Sequence, residues 1–227
     1  MDNQQYYKYI DIAKGIAIIL IVMGHIQAKF NLYFLWQRFF MLFHVAVFFM
    51  ISGLTLNGEK AKNTRTFIWN KMKRIYFKVL LFSVPAVLLH NFFVRIGFYY
   101  PELYQGEPKY DLYTKKEMVK QITLTFGCAG REPILSALWF VFVLLFALIG
   151  YSVLSGILNK FIKDKKTYES VRTILIWTGL VISAFLTNHY QFTINRFSNV
   201  FATIALIHMA YLMKQNIFIS DLITGQY

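Results

Sequence analysis

Six long apolar stretches, separated by short polar connectors, set the rhythm of this chain. They fall at about residues 10–30, 35–56, 75–99, 135–158, 171–188 and 199–213. A bilayer's hydrocarbon core is about 30 Å thick and is crossed by about 20 residues of α-helix, so stretches of this kind read as membrane-crossing helices. The expected fold is therefore an all-α membrane protein, a polytopic bundle of about six transmembrane helices. Pro85 lies within the third stretch and is expected to kink it, a fault that neighbouring helices in a membrane can repair. Between the second stretch and the start of the third, Phe67, Ile68, Trp69, Met72, Ile75 and Tyr76 sit among basic residues and fit an interfacial amphipathic helix or a lipid-facing anchor. The longest polar connector spans residues 100–133, and no internal repeat or low-complexity tract is visible.

Composition sharpens this picture. The 227 residues are 57% hydrophobic and only 15% charged, whereas a soluble domain carries about a quarter charged residues. The 23 Phe and 15 Tyr suit an aromatic belt at the membrane interfaces as well as helix packing. The net charge of +13 is carried by connectors. Lys60, Lys62, Arg65, Lys71, Lys73, Arg74 and Lys78 follow the second stretch, and Lys160, Lys163, Lys165, Lys166 and Arg172 follow the fourth. Lys8 precedes the first and Lys214 follows the sixth. Cytoplasmic connectors carry the excess of Lys and Arg, so the N-terminus is placed in the cytoplasm of a cell membrane. In the 100–133 outer loop, Lys109, Lys115, Lys116, Lys120 and Arg131 are balanced by Glu102, Glu107, Asp111, Glu117 and Glu132. No basic stripe lies on a soluble domain, which argues against nucleic acid as a partner. The lone Cys128 excludes an intramolecular disulfide, and no cysteine-rich metal spacing exists. The first apolar run has no small-residue cleavage site after it and reads as a signal anchor.

Within that first run lie two ionisable groups, Lys14 and His25, with ten residues between them. Eleven helical steps of about 100° close to within about 20° of three turns, so the two share a face about 16 Å apart along the axis. Ionisable side chains inside a membrane span are costly and are functional candidates by default. A neutral imidazole at His25 can take a proton from a hydroxyl, and Lys14 supplies a cation for a phosphate or a polarised carbonyl. Lys14 alone also fits a snorkelling side chain, and His25 alone an interfacial one. Asp11 stands one helical turn from Lys14. His44, in the second stretch, can face His25 across the short outer connector; no third ligand accompanies the two, so a metal is not expected. Ser52-Gly53 fits close helix packing. His90 and His208 sit within apolar runs where neighbouring helices can satisfy them. Arg95, Asn188, His189 and Arg196 stand near outer helix ends, lining a polar mouth or simply wet.

The segment Tyr9-Ile-Asp11-Ile-Ala-Lys14 through Gly24-His25 resembles the opening helix of the acyltransferase-3 family of membrane O-acyltransferases, most closely its fucose 4-O-acetylase-like branch. That family carries Arg or Lys, ten residues, then His. Phe43-His44-Val45-Ala46-Val47-Phe48-Phe49 through Ser52-Gly53 is similar to its second-helix pattern, with Ala46 where proline is usual. Lys71-Met-Lys73-Arg74 resembles its basic cytoplasmic stretch, and Leu138-Trp139-Phe140 a motif opening the fourth span. The motifs cover about the first 150 residues, and residues 1–227 are read as a single domain. Family members usually continue to about ten spans, so the chain is expected to be C-terminally short.

The resemblance implies transfer of an acyl group, usually acetyl, from cytoplasmic acetyl-CoA or another acyl-CoA to a hydroxyl of an extracytoplasmic glycan or lipid-linked sugar. It makes His25 and Lys14 the catalytic candidates, His25 either deprotonating the acceptor or carrying the acyl group. Lys14, Lys73 and Arg74 become candidates for the donor's phosphates, and His44 and Asp11 for the acceptor. The competing readings are a non-catalytic exporter or accessory subunit, and an inactive fragment of an acyltransferase. A transporter would favour paired repeats and matching broken helices, which are not evident.

Overall fold

The computed structural model describes residues 3–30, 37–99, 103–104, 107–108, 111–129, 132–190 and 197–215, and within the first two helices the side chains of His25 and His44 lie outside the described residues. The architecture is helical. In order come α1 (Asn3–Phe30), α2 (Gln37–Leu54), α3 (Gly58–Lys62), α4 (Thr64–Lys71), a π-helical turn (Met72–Tyr76), α5 (Phe77–Leu88) and α6 (His90–Arg95). A minimal antiparallel pairing of β1 (Leu103–Tyr104) with β2 (Glu107–Pro108) follows. The remainder is α7 (Lys115–Phe126), a 3₁₀ turn (Pro133–Leu138), α8 (Trp139–Phe161), α9 (Lys165–Tyr190) and α10 (Phe197–Gln215). The chain divides into two compact units, Met1–Trp69 with Val143–Tyr227, and Asn70–Phe142.

In the first unit α2 packs against both α1 and α10, and α10 against α9. Ile10 and Ala17 of α1 bury against Ile51 of α2, with Ala13 and Phe48 alongside. The α2–α10 contact depends on Gly53: a β-carbon there would stand 2.3 Å from the backbone oxygen of Ile207 and 2.9 Å from the Ala210 β-carbon. Gly53 thus does what a small residue does between packed helices, letting backbones approach. The Ser52 hydroxyl donates to the Phe48 carbonyl one turn back. Helix α8 is clasped to the 57–64 segment by hydroxyls: Ser152 Oγ donates to the Ala61 carbonyl at 2.7 Å, and Thr64 Oγ1 to the Ser152 carbonyl at 3.1 Å. Hydroxyls donate these bonds because a helix's backbone amides are already engaged, while its carbonyls keep a second lone pair to accept with.

Among the described residues two helices are long and apolar enough to cross a membrane, Trp139–Phe161 and Lys165–His189. The second leaves Ile174, Trp177, Val181, Ile182 and Phe185 exposed. A row of large apolar side chains of that extent is out of place in water and ordinary against lipid.

The second unit departs most from expectation. The third apolar stretch is three pieces rather than one kinked helix. Pro85 sits inside α5, and the break comes four residues later, at Leu89, whose amide donates back to the Pro85 carbonyl at 2.9 Å. The stretch expected as a charge-balanced loop contains α7, a helix packed along α5. Its start is fixed by a capping box in which Thr114 and Glu117 satisfy each other's backbone amides. Two charges counted with the connectors are interior: Glu132 and Arg172 are both fully buried.

Candidate functional site

Helix α1 runs unbroken for 28 residues, so positions 14 and 25 belong to one rigid element. Among its described side chains, Ile10, Ala17 and Ile21 are buried. Lys14 completes a four-three-four spacing with them, and position 25 continues it by four. All five positions fall within about 80° of arc, and Ile10 and Ala17 among them pack against α2. Lys14 is half-buried at the edge of the packed core, and its ammonium lies 3.2 Å from the exposed Asp11 carboxylate. An exposed pair three residues apart contributes only about 0.3–0.5 kcal/mol. Such a pair orients the ammonium yet lets it go to a stronger anion.

Lys73 and Arg74 are exposed on the π-helical turn between α4 and α5. There the Phe77 amide reaches back five residues to the Met72 carbonyl, widening the helix by one residue. Such turns recur at functional sites and are not announced by sequence periodicity. The structure brings Lys14 and Asp11 together in the first unit and places Lys73 and Arg74 together in the second.

The remaining histidines whose side chains are described sort by what their ring nitrogens face. His208 is 1% exposed. Its Nε2 lies 2.9 Å from the Thr173 hydroxyl and its Nδ1 3.4 Å from the Tyr151 hydroxyl. Beside it, the Arg172 guanidinium is enclosed by the faces of Tyr151, Tyr168 and Tyr211, each about 5 Å from the ring centre, and contacts the Glu169 carboxylate. A cation taken wholly out of water needs such compensation, from a counter-ion and from aromatic faces. The cluster knits α8, α9 and α10.

His90 is equally closed off. Its Nε2 lies 3.0 Å from the Asp111 carbonyl, which can only accept, so Nε2 carries a proton. Its Nδ1 lies 2.8 Å from Glu132 Oε1, and one proton is held between that nitrogen and that carboxylate. Tyr99 and Tyr113 donate their hydroxyls to the two oxygens of Glu132, and Tyr113 stacks on the imidazole at 3.5 Å. His90 and His208 therefore have both nitrogens occupied and no exposed edge, which suits positioning rather than proton transfer to a substrate. His189 is exposed on α9 and stacks on Phe185. Neither Arg172 nor Glu132 was legible as interior from sequence, because each lies beside a charged connector. Among the described residues no group of His, Cys, Asp and Glu gathers as metal ligands would.

Searches of curated proteins and of solved structures each return no significant match. The family profile described as an acyltransferase domain, Acyl_transf_3, matches residues 7–220. That span takes in α1 with Lys14 and His25, the π-helical turn and the helices through α10. The chain belongs to the acyltransferase-3 family, a family of membrane acyltransferases.

Proposed function

We propose that this protein is an O-acetyltransferase of the fucose 4-O-acetylase-like branch, acting in the cell membrane as a bundle of about six spans with a cytoplasmic N-terminus. It would move an acetyl group from cytoplasmic acetyl-CoA to a hydroxyl of an extracytoplasmic glycan or lipid-linked sugar. The observation that carries this reading is the common stripe of positions 14 and 25 on one continuous helix, in a chain whose family is acyl transfer. The closed surroundings of His90 and His208 support it by withdrawing two of the chain's five histidines from exchange with a substrate, with His25 at the family's position among the rest.

In the proposed reaction the His25 imidazole takes the acceptor's hydroxyl proton as the oxygen attacks the thioester carbonyl. The carbon–sulfur bond breaks, the coenzyme A thiolate leaves, and the imidazolium returns the proton to it. The products are an ester and free coenzyme A. Lys14, held by Asp11, stabilises negative charge on the donor side. Lys73 and Arg74 meet the donor's phosphates in the cytoplasm, and His44 borders the acceptor.

The test is His25→Ala, Lys14→Ala and Lys14→Arg in a strain scored for glycan O-acetylation, with membrane insertion checked for each. Loss of acetylation in the two alanine variants and its retention in Lys14→Arg are expected, since the family accepts either cation. Wild-type acetylation by a correctly inserted His25→Ala protein overturns the proposal. It would leave an exporter or accessory role.

A further inference from the structure

The turn joining α8 to α9 is three residues long, Ile162, Lys163 and Asp164, and among the described residues the helices it joins are the two long and apolar enough to cross a membrane. Four lysines crowd it, Lys160, Lys163, Lys165 and Lys166, all of them exposed. Two of these serve α8. Lys160 lies in its last turn, and Lys163 Nζ donates to the Asn159 carbonyl at 3.2 Å, at a helix end that favours cations. Lys165 and Lys166 stand at the opposite kind of end. They occupy the first turn of α9, which holds no acidic residue, so the amide dipoles add to their charge rather than offset it. The nearby carboxylates are engaged elsewhere: Asp164 Oδ2 accepts from the Thr167 amide at 2.7 Å, and Glu169 contacts the buried Arg172. The corner is a concentrated positive charge that its own carboxylates do not balance.

An apolar track leads to this corner. Val153, Ile157 and Phe161 follow one another at four-residue intervals on α8 and are 38%, 49% and 80% exposed, rising toward the lysines. Each step turns by about 40°, so the three form one stripe. They span about 12 Å along the axis, most of the depth of one leaflet in a core about 30 Å thick. The opposite side of α8, with Leu144, Leu148, Tyr151 and Ser155, is buried. We propose that the α8–α9 corner binds an acidic phospholipid, its phosphate among Lys160, Lys165 and Lys166 and an acyl chain along Val153, Ile157 and Phe161. Basic charge alone suits any polyanion. The stripe selects among them, since a free phosphate or a nucleotide has nothing to lay on exposed apolar side chains, whereas a lipid covers them and leaves its anionic headgroup at the lysines.

This inference needs α8 and α9 to cross a membrane, but neither a particular orientation nor a catalytic role for His25. The full chain would be reconstituted in phosphatidylcholine vesicles doped with phosphatidylglycerol or phosphatidylcholine carrying a nitroxide on the acyl chain. Electron paramagnetic resonance then reads the fraction of each lipid that the protein immobilises. The unaltered chain is expected to favour phosphatidylglycerol several-fold. Lys165→Gln with Lys166→Gln should remove most of that preference. Lys115→Gln with Lys116→Gln, the same charge change in the first turn of α7, should keep it. Equal immobilisation of both lipids by the unaltered chain overturns the proposal. So does an equal loss in the two lysine pairs, which would report net charge alone. Displacement of phosphatidylglycerol from the unaltered chain by coenzyme A, at matched ionic strength, assigns the lysines to the acyl donor; it overturns the lipid site and leaves the proposed acyl transfer standing.

Discussion

Arg172 shows how far a residue's setting can depart from its neighbourhood in sequence. It follows Lys160, Lys163, Lys165 and Lys166 and counts with them toward orientation, yet it is wholly enclosed by three tyrosine faces and Glu169. Removing one partner of a buried charge cluster costs about 3–5 kcal/mol, whereas an apolar side chain of similar volume is tolerated far better. Arg172→Ala should therefore lower the midpoint of thermal unfolding in detergent much more than Arg172→Met. The same logic applies to His90 and Glu132. His90→Ala and Glu132→Ala should each destabilise by about 3 kcal/mol, and the double variant by clearly less than the sum, because each single change strands the other group. Sequence could not reveal either cluster. Arg172 and Tyr211 are 39 positions apart, His90 and Glu132 are 42, and only packing joins them. Lys14 and Asp11 were legible because both lie on one helical turn.

At the scale of the element, regular helices were legible and their interruptions were not. Hydrophobic runs located α2, α8 and α10 to within four residues, whereas α1 and α9 begin seven and six residues earlier than expected, because their polar first turns lie outside the apolar runs. The π-helical turn, the Leu89 break and α7 escaped because hydrogen-bond register and tertiary contact decide them. The Thr114-x-x-Glu117 box was the one local sign of α7. Hydrogen bonds from the Thr114 backbone amide and then its hydroxyl hold the Glu117 carboxyl below its ordinary value. Its folded value lies below the unfolded one, so the cap's support is complete above the unfolded value and is lost as pH falls through the folded value. Amide exchange in the first turn of α7 should accelerate on acidification through that range, and Glu117→Gln, which carries no titratable carboxyl, should remove the dependence. The glycines make a paired prediction. Gly53→Ala drives a β-carbon into the Ile207 backbone and should destabilise the α2–α10 contact by about 1–3 kcal/mol, read as a lower thermal midpoint. Gly15→Ala meets nothing within 4 Å and should stabilise α1 by about 0.5–1 kcal/mol.

For the whole molecule, the family match and the apolar composition agree on a membrane acyltransferase, while the number of crossings rests on the charge pattern of the connectors. Two helices among the described residues meet the length and hydropathy needed to cross. The proposed topology places the connectors at Lys62 and Lys163 in the cytoplasm. Reporter fusions there should be active only for a cytoplasmic reporter. Replacing Lys160, Lys163, Lys165 and Lys166 together by glutamine should weaken that bias, since orientation follows the lysine and arginine count rather than net charge.

The unbroken course of α1 has a mechanical consequence. A rod without a hinge cannot bring residues 14 and 25 closer, so their axial spacing of about 16 Å is a fixed gauge. In the proposed reaction, adjustment between donor and acceptor would then fall to the substrates, above all to the flexible thioester arm of the donor. A hinge placed between those positions, such as Ile19→Pro, should lower glycan O-acetylation in the same strain assay while the protein still inserts.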